Sequence, residues 1–249
     1  MPDLHPTFHA MVRRLERRSP LDEEGRRALL DLPHTVRTMG AGSHLIRDGD
    51  RPEHCCLLLS GFAHRYKITG EGGRQIISIH MASEFVDLQN GLLFVADHSV
   101  QSLTDVEVAL IPQRAIEEVA LGNRSVGRAM WIDTLIDASI FREWVVNVGR
   151  RDSRTRVSHL LCEFSLRLEA AGLASNHHYE LPMTQEQLAD AVGLTSVHVN
   201  RVLKQLGEEG LISRDRRRII IEDWARMRQA GDFNERYLHH DALVAEPRP

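Results

Sequence analysis

The spacing of apolar residues changes along the chain and divides it into helical and strand-like stretches. Residues 5–18 and 21–30 have the three- and four-residue spacing of short amphipathic helices, with a break at Ser19–Pro20. From about residue 34 to residue 112, short apolar or alternating runs are separated by glycine-rich turns. These runs are HTVRTM, SHLIRD, CCLLLSGFAHRYKI, RQIISIHM, HSVQSL and VEVALI, and they predict an antiparallel sandwich or barrel.

The pattern becomes helical again at residue 113, and its longest stretch covers residues 124–148. Apolar residues recur there at spacings of mostly three and four, which predicts an amphipathic helix of about 25 residues. Because this apolar face is longer than the preceding β domain can cover, we expect a dimer seam, with packing inside one large domain as the alternative. The predicted seam residues are Met130, Leu135, Ile136, Ile140 and Trp144.

Residues 183–206, MTQEQLADAVGLTSVHVNRVLKQL, predict two short helices joined at a glycine. Thr184 is a candidate N-cap with Gln187 three residues later, as in a capping box, and Thr195 is a candidate cap for the second helix. Gly193 allows the chain to turn at positive φ. On the second helix, one side is predicted to carry Val199, Val202, Leu203 and Leu206, and the other to carry Val197, His198, Asn200, Arg201, Lys204 and Gln205.

The exposed side of the second helix has the chemistry that reads a DNA major groove. Arg201 can donate two hydrogen bonds to a guanine, and Val197 can contact a thymine methyl group. Ser196 and His198 can form hydrogen bonds with bases or phosphates. An ordinary helical hairpin with a polar exposed face is the alternative interpretation.

The residues that follow, EEGLISRDRRRIIIED, predict a basic β-hairpin. Two short strands, Leu211–Ser213 and Ile219–Ile221, flank a turn in which Asp215 is the only acidic residue. The arginines of this turn are Arg214, Arg216, Arg217 and Arg218, and a second local group comprises Arg150, Arg151, Arg154 and Arg156. A hairpin of this kind can lie on phosphates. Because the whole chain has a net charge of −4, any nucleic-acid surface must be a local patch.

The stretch MTQEQLADAVGLTSVHVNRVLKQLGEEGLISRDRRRIII resembles the winged helix-turn-helix of the cyclic-AMP receptor protein / fumarate–nitrate regulator (Crp/Fnr) family. The order of β domain, long helix and DNA-binding domain is similar across roughly residues 20–225. The resemblance implies an α+β fold with an N-terminal antiparallel β-roll (a cyclic-nucleotide-binding-like jelly roll), a long dimerisation helix and a C-terminal winged helix-turn-helix. The corresponding domains are residues 1–112, 113–150 and 151–249, with a hinge near Gly149 and Asp152.

The same resemblance implies a homodimer on a palindromic operator in double-stranded DNA, with RNA polymerase as a further partner. The base-contacting positions of the family fall on Ser196, Val197 and Arg201. Many members carry Arg then Glu at the first two positions, so the operator half-site does not carry over to this chain. Neither the effector nor the sign of regulation follows from the resemblance. The predicted DNA-binding residues are Thr184, Thr195, Ser196, Val197, His198, Asn200, Arg201, Lys204, Arg216, Arg217 and Arg218.

The sensor region departs from the cyclic-nucleotide binders of the family. In those proteins a Gly–Glu–Leu motif holds the ribose, and the arginine of an Arg–Ser/Thr–Ala motif holds the cyclic phosphate. The nearest counterparts in this chain are Asp87–Leu88 and His98–Ser99, which are therefore the candidate effector-binding residues. A neutral histidine is a poor substitute for an arginine on phosphate.

The positions of the cysteines and histidines limit which cofactors are expected. The three cysteines, Cys55, Cys56 and Cys162, give no even disulfide framework, and one of the adjacent pair is expected in the core. The first fifty residues contain no cysteine, so the iron–sulfur centre of the oxygen-sensing branch is not expected. No cofactor is predicted, although heme stays open because the β region contains His44, His54, His64, His80 and His98.

Two other function classes compete with a DNA-binding regulator. An enzyme of the cupin type would need two histidines separated by one residue and a nearby glutamate, which the β region does not offer, and no common catalytic motif is present. A ligand-binding sensor module for heme, redox signals or cyclic nucleotides, without a direct role on DNA, is the second alternative. The sequence has neither a signal peptide nor a run of 18 apolar residues, which predicts a cytoplasmic protein without a membrane partner.

We predict that the protein binds neither cyclic AMP nor cyclic GMP tightly, because His98 stands where an arginine would hold the cyclic phosphate. Calorimetric titration with each nucleotide measures this directly. Micromolar affinity for either one would overturn the prediction.

Overall fold

The computed structural model describes residues 5–240, which divide into two compact units. Within the described chain, the first unit comprises residues 5–67, 78–140 and 238–240, and the second comprises residues 68–77 and 141–237. The predicted fold class is confirmed: an antiparallel β domain, a long helix and a helix-turn-helix domain follow one another along the chain. The division into three segments at residues 112 and 150 stays a prediction.

The first unit consists of two short helices followed by a β-roll. Its elements are α1 (Pro6–Glu16), α2 (Glu23–Leu30), β1 (Thr35–Met39), β2 (His44–Ile46), β3 (His54–Ser60), β4 (Phe62–Ile68), β5 (Arg74–Met81), α3 (Asn90–Leu93), β6 (Ser99–Ser102), β7 (Val106–Pro112) and α4 (Gln113–Gly122). One sheet has the strand order β1-β7-β3 and the other has the order β2-β6-β4-β5. The long helix α5 (Arg124–Arg150) begins in this unit.

The run of apolar residues at 55–68 is two strands, because Gly61 turns the chain between them. Gly61 has φ +77°, and a Cβ atom there would lie 2.3 Å from the carbonyl oxygen of Asp105. The strand before the turn, β3, pairs with β7, whereas the strand after it, β4, pairs with β6. A single glycine therefore sends one hydrophobic run into both sheets of the roll.

Two apolar clusters fill the first unit, and β3 contributes to both. Cys55 lies in the cluster that the N-terminal helices and the start of α5 share, and Cys56 lies in the cluster between the two sheets. Successive side chains of a strand point to opposite faces, so both faces of β3 are covered. The expectation that only one of the two cysteines is buried was wrong, since their exposed fractions are 2% and 4%.

Asp87 is a carboxylate enclosed beside β3. Its Oδ1 accepts hydrogen bonds from the Cys56 backbone N–H at 2.7 Å and from the Cys55 thiol at 3.2 Å. Its Oδ2 is buried and has no hydrogen-bond partner within residues 5–240. Burial raises the pKa of Asp87 to about 6, although the two hydrogen bonds and nearby Arg65 act in the opposite direction.

The second unit carries the helix-turn-helix. It contains the end of α5 together with α6 (Ser153–Ala170), β8 (His178–Glu180), α7 (Gln185–Val192), α8 (Ser196–Glu208), β9 (Ile212–Asp215), β10 (Arg218–Ile221), α9 (Trp224–Ala230) and a 3₁₀ turn (Glu235–Leu238). The side chain of Asp152 caps α6 by accepting a hydrogen bond from the Thr155 backbone N–H at 2.9 Å. The predicted two-stranded hairpin is part of a three-stranded sheet with the order β8-β10-β9.

A buried polar network holds the end of the second unit together. The fully buried Glu163 carboxylate accepts hydrogen bonds from Trp144 Nε1 at 3.0 Å and from the Tyr237 hydroxyl at 2.8 Å. His159 contacts the same hydroxyl at 3.1 Å and the carbonyl oxygen of Gly231 at 3.0 Å. The network thus anchors Tyr237 near the end of the described chain.

The tip of the β4–β5 hairpin belongs to the second unit and holds the end of α7. Arg74 Nε lies 2.6 Å from Asp190 Oδ2, and both side chains are largely buried. The amide of Gln75 donates a hydrogen bond to the carbonyl oxygen of Ala191 at 3.2 Å. An ion pair and a backbone contact thus fix the hairpin tip against the residues that precede the Gly193 turn.

We predict that Asp87→Asn raises stability at neutral pH and leaves it nearly unchanged below pH 4. The raised pKa means that the folded state retains a proton between the ordinary value of 3.8 and about 6. The stabilising contribution is thus complete below pH 3.8 and is lost as the pH rises through 6. The cost of ionising Asp87 in the folded state is on the order of 2–3 kcal/mol at pH 7, and the amide avoids it.

Denaturant unfolding of both proteins between pH 4 and 8 measures this difference. Asp97→Asn is the matched control, because a hydrogen bond from His98 lowers the pKa of Asp97. Ionised Asp97 therefore stabilises the folded protein above its unfolded pKa, and this stabilisation disappears as the pH falls. Substitution of Asp97 should thus change the pH dependence of the free energy of unfolding in the opposite direction. A difference between wild type and Asp87→Asn that does not change with pH would contradict the assignment.

Candidate nucleic-acid interface

The helix-turn-helix is built by the caps that its sequence predicts. The Thr184 hydroxyl accepts a hydrogen bond from the Gln187 backbone N–H at 3.2 Å, and Gln187 Oε1 accepts one from the Thr184 backbone N–H at 2.8 Å. Gly193 follows α7 with φ +64° and ψ +42°, the left-handed conformation that glycine adopts at little cost. The Thr195 hydroxyl then caps α8 by accepting from the His198 backbone N–H at 3.3 Å.

Burial of one side of α8 decides which of its side chains are exposed. The predicted apolar side is confirmed, since Val199, Val202, Leu203 and Leu206 are at most 5% exposed. Val197 lies on the opposite side and is 80% exposed. Ser196, Asn200, Arg201 and Lys204 are also exposed, and His198 is half-buried.

Three side-chain contacts organise the polar residues of this surface. Arg201 Nη2 lies 3.0 Å from His198 Nε2, one helical turn away. Asn200 Oδ1 accepts a hydrogen bond from Gln185 Nε2 at 3.3 Å, which joins α8 to the first turn of α7. Lys204 Nζ lies 3.5 Å from Glu208 Oε1. Arg201 itself forms no ion pair within residues 5–240, so its charge is available to a ligand.

The wing is the hairpin formed by β9, β10 and the turn between them, and it presents its arginines on that tight turn. Asp215 pairs with Arg218 across β9 and β10, which leaves Arg216 and Arg217 as the two turn residues. Arg216 has φ +53°, a left-handed conformation that is unfavourable for most residues other than glycine, asparagine and aspartate. All four arginines, Arg214, Arg216, Arg217 and Arg218, are exposed, and within residues 5–240 none of them forms an ion pair.

A groove of about 320 Å³ lies between the wing and the start of α7. Its apolar lining includes Leu188, Leu203 and Ile219, and its polar lining includes Thr184, Arg214 and Arg216. The groove thus brings the capped N-terminus of a helix and the unneutralised guanidinium groups of Arg214, Arg216 and Arg217 to one surface, an arrangement that favours anions.

The second predicted arginine group plays a different part. Arg151 pairs with Glu143 at 2.7 Å and with Asp232 at 3.2 Å. Arg154 pairs with Glu209, and the Arg156 guanidinium donates to the carbonyl oxygens of Arg151 and Val192. The expectation that these arginines add to a positive surface was wrong for the three, because their side chains hold helices of the unit together.

Three of the candidate effector residues, Asp87, His98 and Ser99, are buried and form hydrogen bonds with the protein itself, and the fourth, Leu88, is partly buried. Asp87 accepts from the cysteines of β3, and Leu88 packs against the apolar cluster of the N-terminal helices. His98 Nδ1 lies 2.6 Å from Asp97 Oδ1, and burial lowers the pKa of His98 despite that carboxylate. The Ser99 hydroxyl accepts a hydrogen bond from the Asp48 backbone N–H at 3.1 Å.

Sequence reasoning missed the arginine that lies in this region. Arg65 is on β4, where it pairs with Val100 of β6 one position away from Ser99. Its guanidinium donates to Asp137 at 2.6 Å, to the carbonyl oxygen of Val86 at 3.0 Å and to Gln89 at 3.5 Å. The signal lay in the alternation HRYK along β4, but a strand pattern alone does not identify the neighbouring strand.

The polar groups of this region are held largely by the protein itself, which favours the prediction of weak cyclic-nucleotide binding. The Asp87 carboxyl is enclosed beside β3, and the one nearby guanidinium described above is already held by Asp137. Residues 5–240 contain no group of three or more His, Cys, Asp or Glu side chains that could hold a metal ion. Within the same residues, no helix is both long and apolar enough to cross a membrane.

The predicted seam residues of α5 do not share one environment. Met130, Ile136 and Trp144 are buried within their own units at 4–5% exposure, and Ile140 is half-buried. Leu135 is 51% exposed, and further exposed apolar residues on the helix are Trp131, Phe141, Val145 and Val146. The exposed apolar residues of α5 thus overlap the predicted seam residues at Leu135.

Comparison with known families agrees with this architecture. The model of the Crp-like helix-turn-helix domain matches residues 155–230, and the model of the cyclic nucleotide-binding domain matches residues 36–123. The structure of FixK2 from Bradyrhizobium japonicum has the same fold, with a TM-score of 0.74 and 24% identity over 80% of this chain and 98% of that one.

Curated relatives match along most of their length. The transcriptional activator protein FnrL of Cereibacter sphaeroides is 29% identical over 213 residues, which cover 84% of this chain and 85% of FnrL. The nitrogen fixation regulation protein FixK of Rhizobium meliloti is 26% identical over 197 residues, covering 76% and 83%. With both domain models matched in this order, and with the helix-turn-helix and wing formed as described, the chain belongs to the Crp/Fnr family of transcriptional regulators.

Proposed function

We propose that the protein regulates transcription by binding a palindromic DNA operator as a homodimer, with the N-terminal half of α8 in the major groove and the wing on the phosphate backbone. The observation that carries the proposal is the chemistry of the α8 surface. Val197, His198 and Arg201 project together from the start of a helix whose opposite side is buried. A helix N-terminus inserted in the groove brings such side chains to base edges.

The wing and the start of α7 supply the sequence-independent part of the interface. Arg214, Arg216 and Arg217 line the same groove as Thr184, and Arg218 continues the exposed basic surface. Charges of this kind position a protein on the duplex by contacting phosphates and releasing condensed counterions. A folded unit with both a base-reading helix and a phosphate-binding wing is suited to specific binding.

The homodimer brings two copies of α8 to successive major grooves. Support comes from the exposed apolar residues of α5, among them Trp131 and Leu135, which water does not favour on a free helix surface. A second copy of α5 would cover them in a coiled-coil-like contact. Two-fold symmetry of the dimer then requires two-fold symmetry of the operator.

Contact with RNA polymerase is the route by which we expect the bound dimer to act. FnrL is named a transcriptional activator, and the similarity covers most of both chains. Genomic footprinting of the purified protein gives the operator, and the position of the operator relative to promoters gives the sign of regulation.

The proposal predicts that Arg201→Ala lowers affinity for the footprinted operator by about 5- to 150-fold, because a bidentate contact with guanine is worth about 1–3 kcal/mol. Affinity for a scrambled duplex should change far less. Lys204→Ala is the matched control on the same helix: a phosphate contact would weaken both duplexes alike and reduce the salt slope by about one.

Fluorescence anisotropy at several salt concentrations checks both variants. Equal affinity of wild type and Arg201→Ala for the operator, together with a flat salt dependence, would contradict the proposal. That result would favour a sensor module that acts without contacting DNA.

A second prediction concerns the strained wing turn. Arg216→Gly should stabilise the protein by about 0.5–1 kcal/mol, because glycine adopts φ +53° without steric cost. The same change should weaken binding to any duplex and reduce the salt slope by about one. Strain that persists at an exposed arginine is expected where that arginine serves a function.

Arg217→Gly is the control, because Arg217 is not at positive φ. It should weaken DNA binding in the same way without raising the unfolding midpoint. An Arg216→Gly protein that is no more stable than wild type, or that binds DNA with the same salt slope, would contradict this account of the turn.

A further inference from the structure

We propose that His198 is a positioning residue for Arg201: a neutral imidazole accepts a hydrogen bond from the guanidinium and fixes it for guanine recognition, and a protonated imidazole releases it. This inference rests on the proposed function. It adds a specificity-determining residue to the interface and makes sequence discrimination depend on pH.

The geometry of the pair sets the direction of the hydrogen bond. Arg201 Nη2 and His198 Nε2 are 3.0 Å apart. A guanidinium has five N–H donors and no acceptor, so the imidazole must supply a lone pair at Nε2. The contact therefore requires neutral His198 with its proton on Nδ1. Arg201 uses one donor in it and keeps enough for two hydrogen bonds to one base.

Both residues stand on a rigid part of the helix. The backbone N–H of His198 donates to the Thr195 cap, which places the residue in the capped first turn of α8. Val199 and Val202, the next residue after each member of the pair, are buried. Because the backbone is fixed, the freedom left to Arg201 is that of its own long side chain, and a hydrogen bond from one turn away reduces it.

Charged groups on the neighbouring elements do not take over the role of His198. On α7, Asp190 is paired with Arg74, and Glu186 is exposed. On α6, Arg154 is paired with Glu209. On α8 itself, Lys204 is paired with Glu208. The exposed Arg214, Asp215, Arg216, Arg217 and Arg218 lie in the wing, and Arg201 is the charged group in contact with the imidazole.

Protonation of His198 changes both the discrimination between operator and other DNA and the affinity for DNA of any sequence. An imidazolium has no free lone pair, so it cannot accept from Arg201, and its charge repels the guanidinium. The added charge meanwhile attracts phosphates of any sequence. Acid conditions should thus strengthen binding to scrambled DNA while weakening discrimination. A histidine that merely contacted a phosphate would instead strengthen operator and scrambled binding together.

The experiment compares the ratio of operator to scrambled affinity at pH 5.5 and pH 8, on either side of the range in which histidine side chains titrate. The operator is the duplex obtained by footprinting. Three variants accompany the wild type: His198→Gln, whose Oε1 can replace Nε2 and does not titrate, His198→Asn, whose oxygen is too short to reach, and His198→Ala. Circular dichroism establishes that each variant folds.

We expect the wild-type ratio to fall by roughly 3- to 10-fold from pH 8 to pH 5.5, the range of one hydrogen bond. His198→Gln should keep the high ratio at both pH values, and His198→Asn and His198→Ala should have the low ratio at both. A wild-type ratio that follows His198→Gln at every pH, or a His198→Ala ratio equal to wild type at pH 8, would overturn the inference.

Arg201→Ala separates this outcome from failure of the proposed function. If Arg201→Ala loses operator preference while the His198 variants retain it, DNA recognition stands and the positioning role falls. If wild type itself has no operator preference, the proposed function falls first.

Discussion

The buried apolar side of α8 is the constraint on which the DNA-binding surface depends. Val199, Val202, Leu203 and Leu206 can be covered in only one rotational setting of the helix, because their side chains occupy a single stripe. That setting leaves Val197 and Arg201 facing outward. The caps at Thr195 and Thr184 and the turn at Gly193 determine where the two helices begin and end. Hydrophobic burial inside the domain thus decides which chemistry is available outside it.

Sequence patterns predicted this part of the molecule well because its determinants are local. A capping box, a glycine at positive φ and a three-to-four residue apolar spacing each act within a few residues. The strand β8 and the network around Glu163 were not predictable in the same way. Tyr237 and Trp144 are separated from Glu163 by 74 and 19 residues along the chain. No sequence periodicity predicts that either residue contacts Glu163.

The sensor region illustrates the same limit from the other side. The sequence placed Asp87 and His98 near the family positions for a ligand, but it could not indicate that Asp87 would be enclosed by the cysteines of β3. Nor could it place Arg65, because strand pairing brings that residue beside Ser99 from a distant part of the chain. Buried polar groups that already hold one another leave few donors and acceptors for a small molecule.

The ion pair between Arg74 and Asp190 ties together two segments that are otherwise far apart in the chain. The guanidinium and the carboxylate of this pair are both largely shielded from water. Loss of either one would leave the other charge unpaired in a poorly solvated position. Among homologous sequences, drift at one of these positions should therefore be tolerated mainly when the second position changes with it. The tip of the β4–β5 hairpin and α7 should in this sense evolve together, although they come from opposite halves of the sequence.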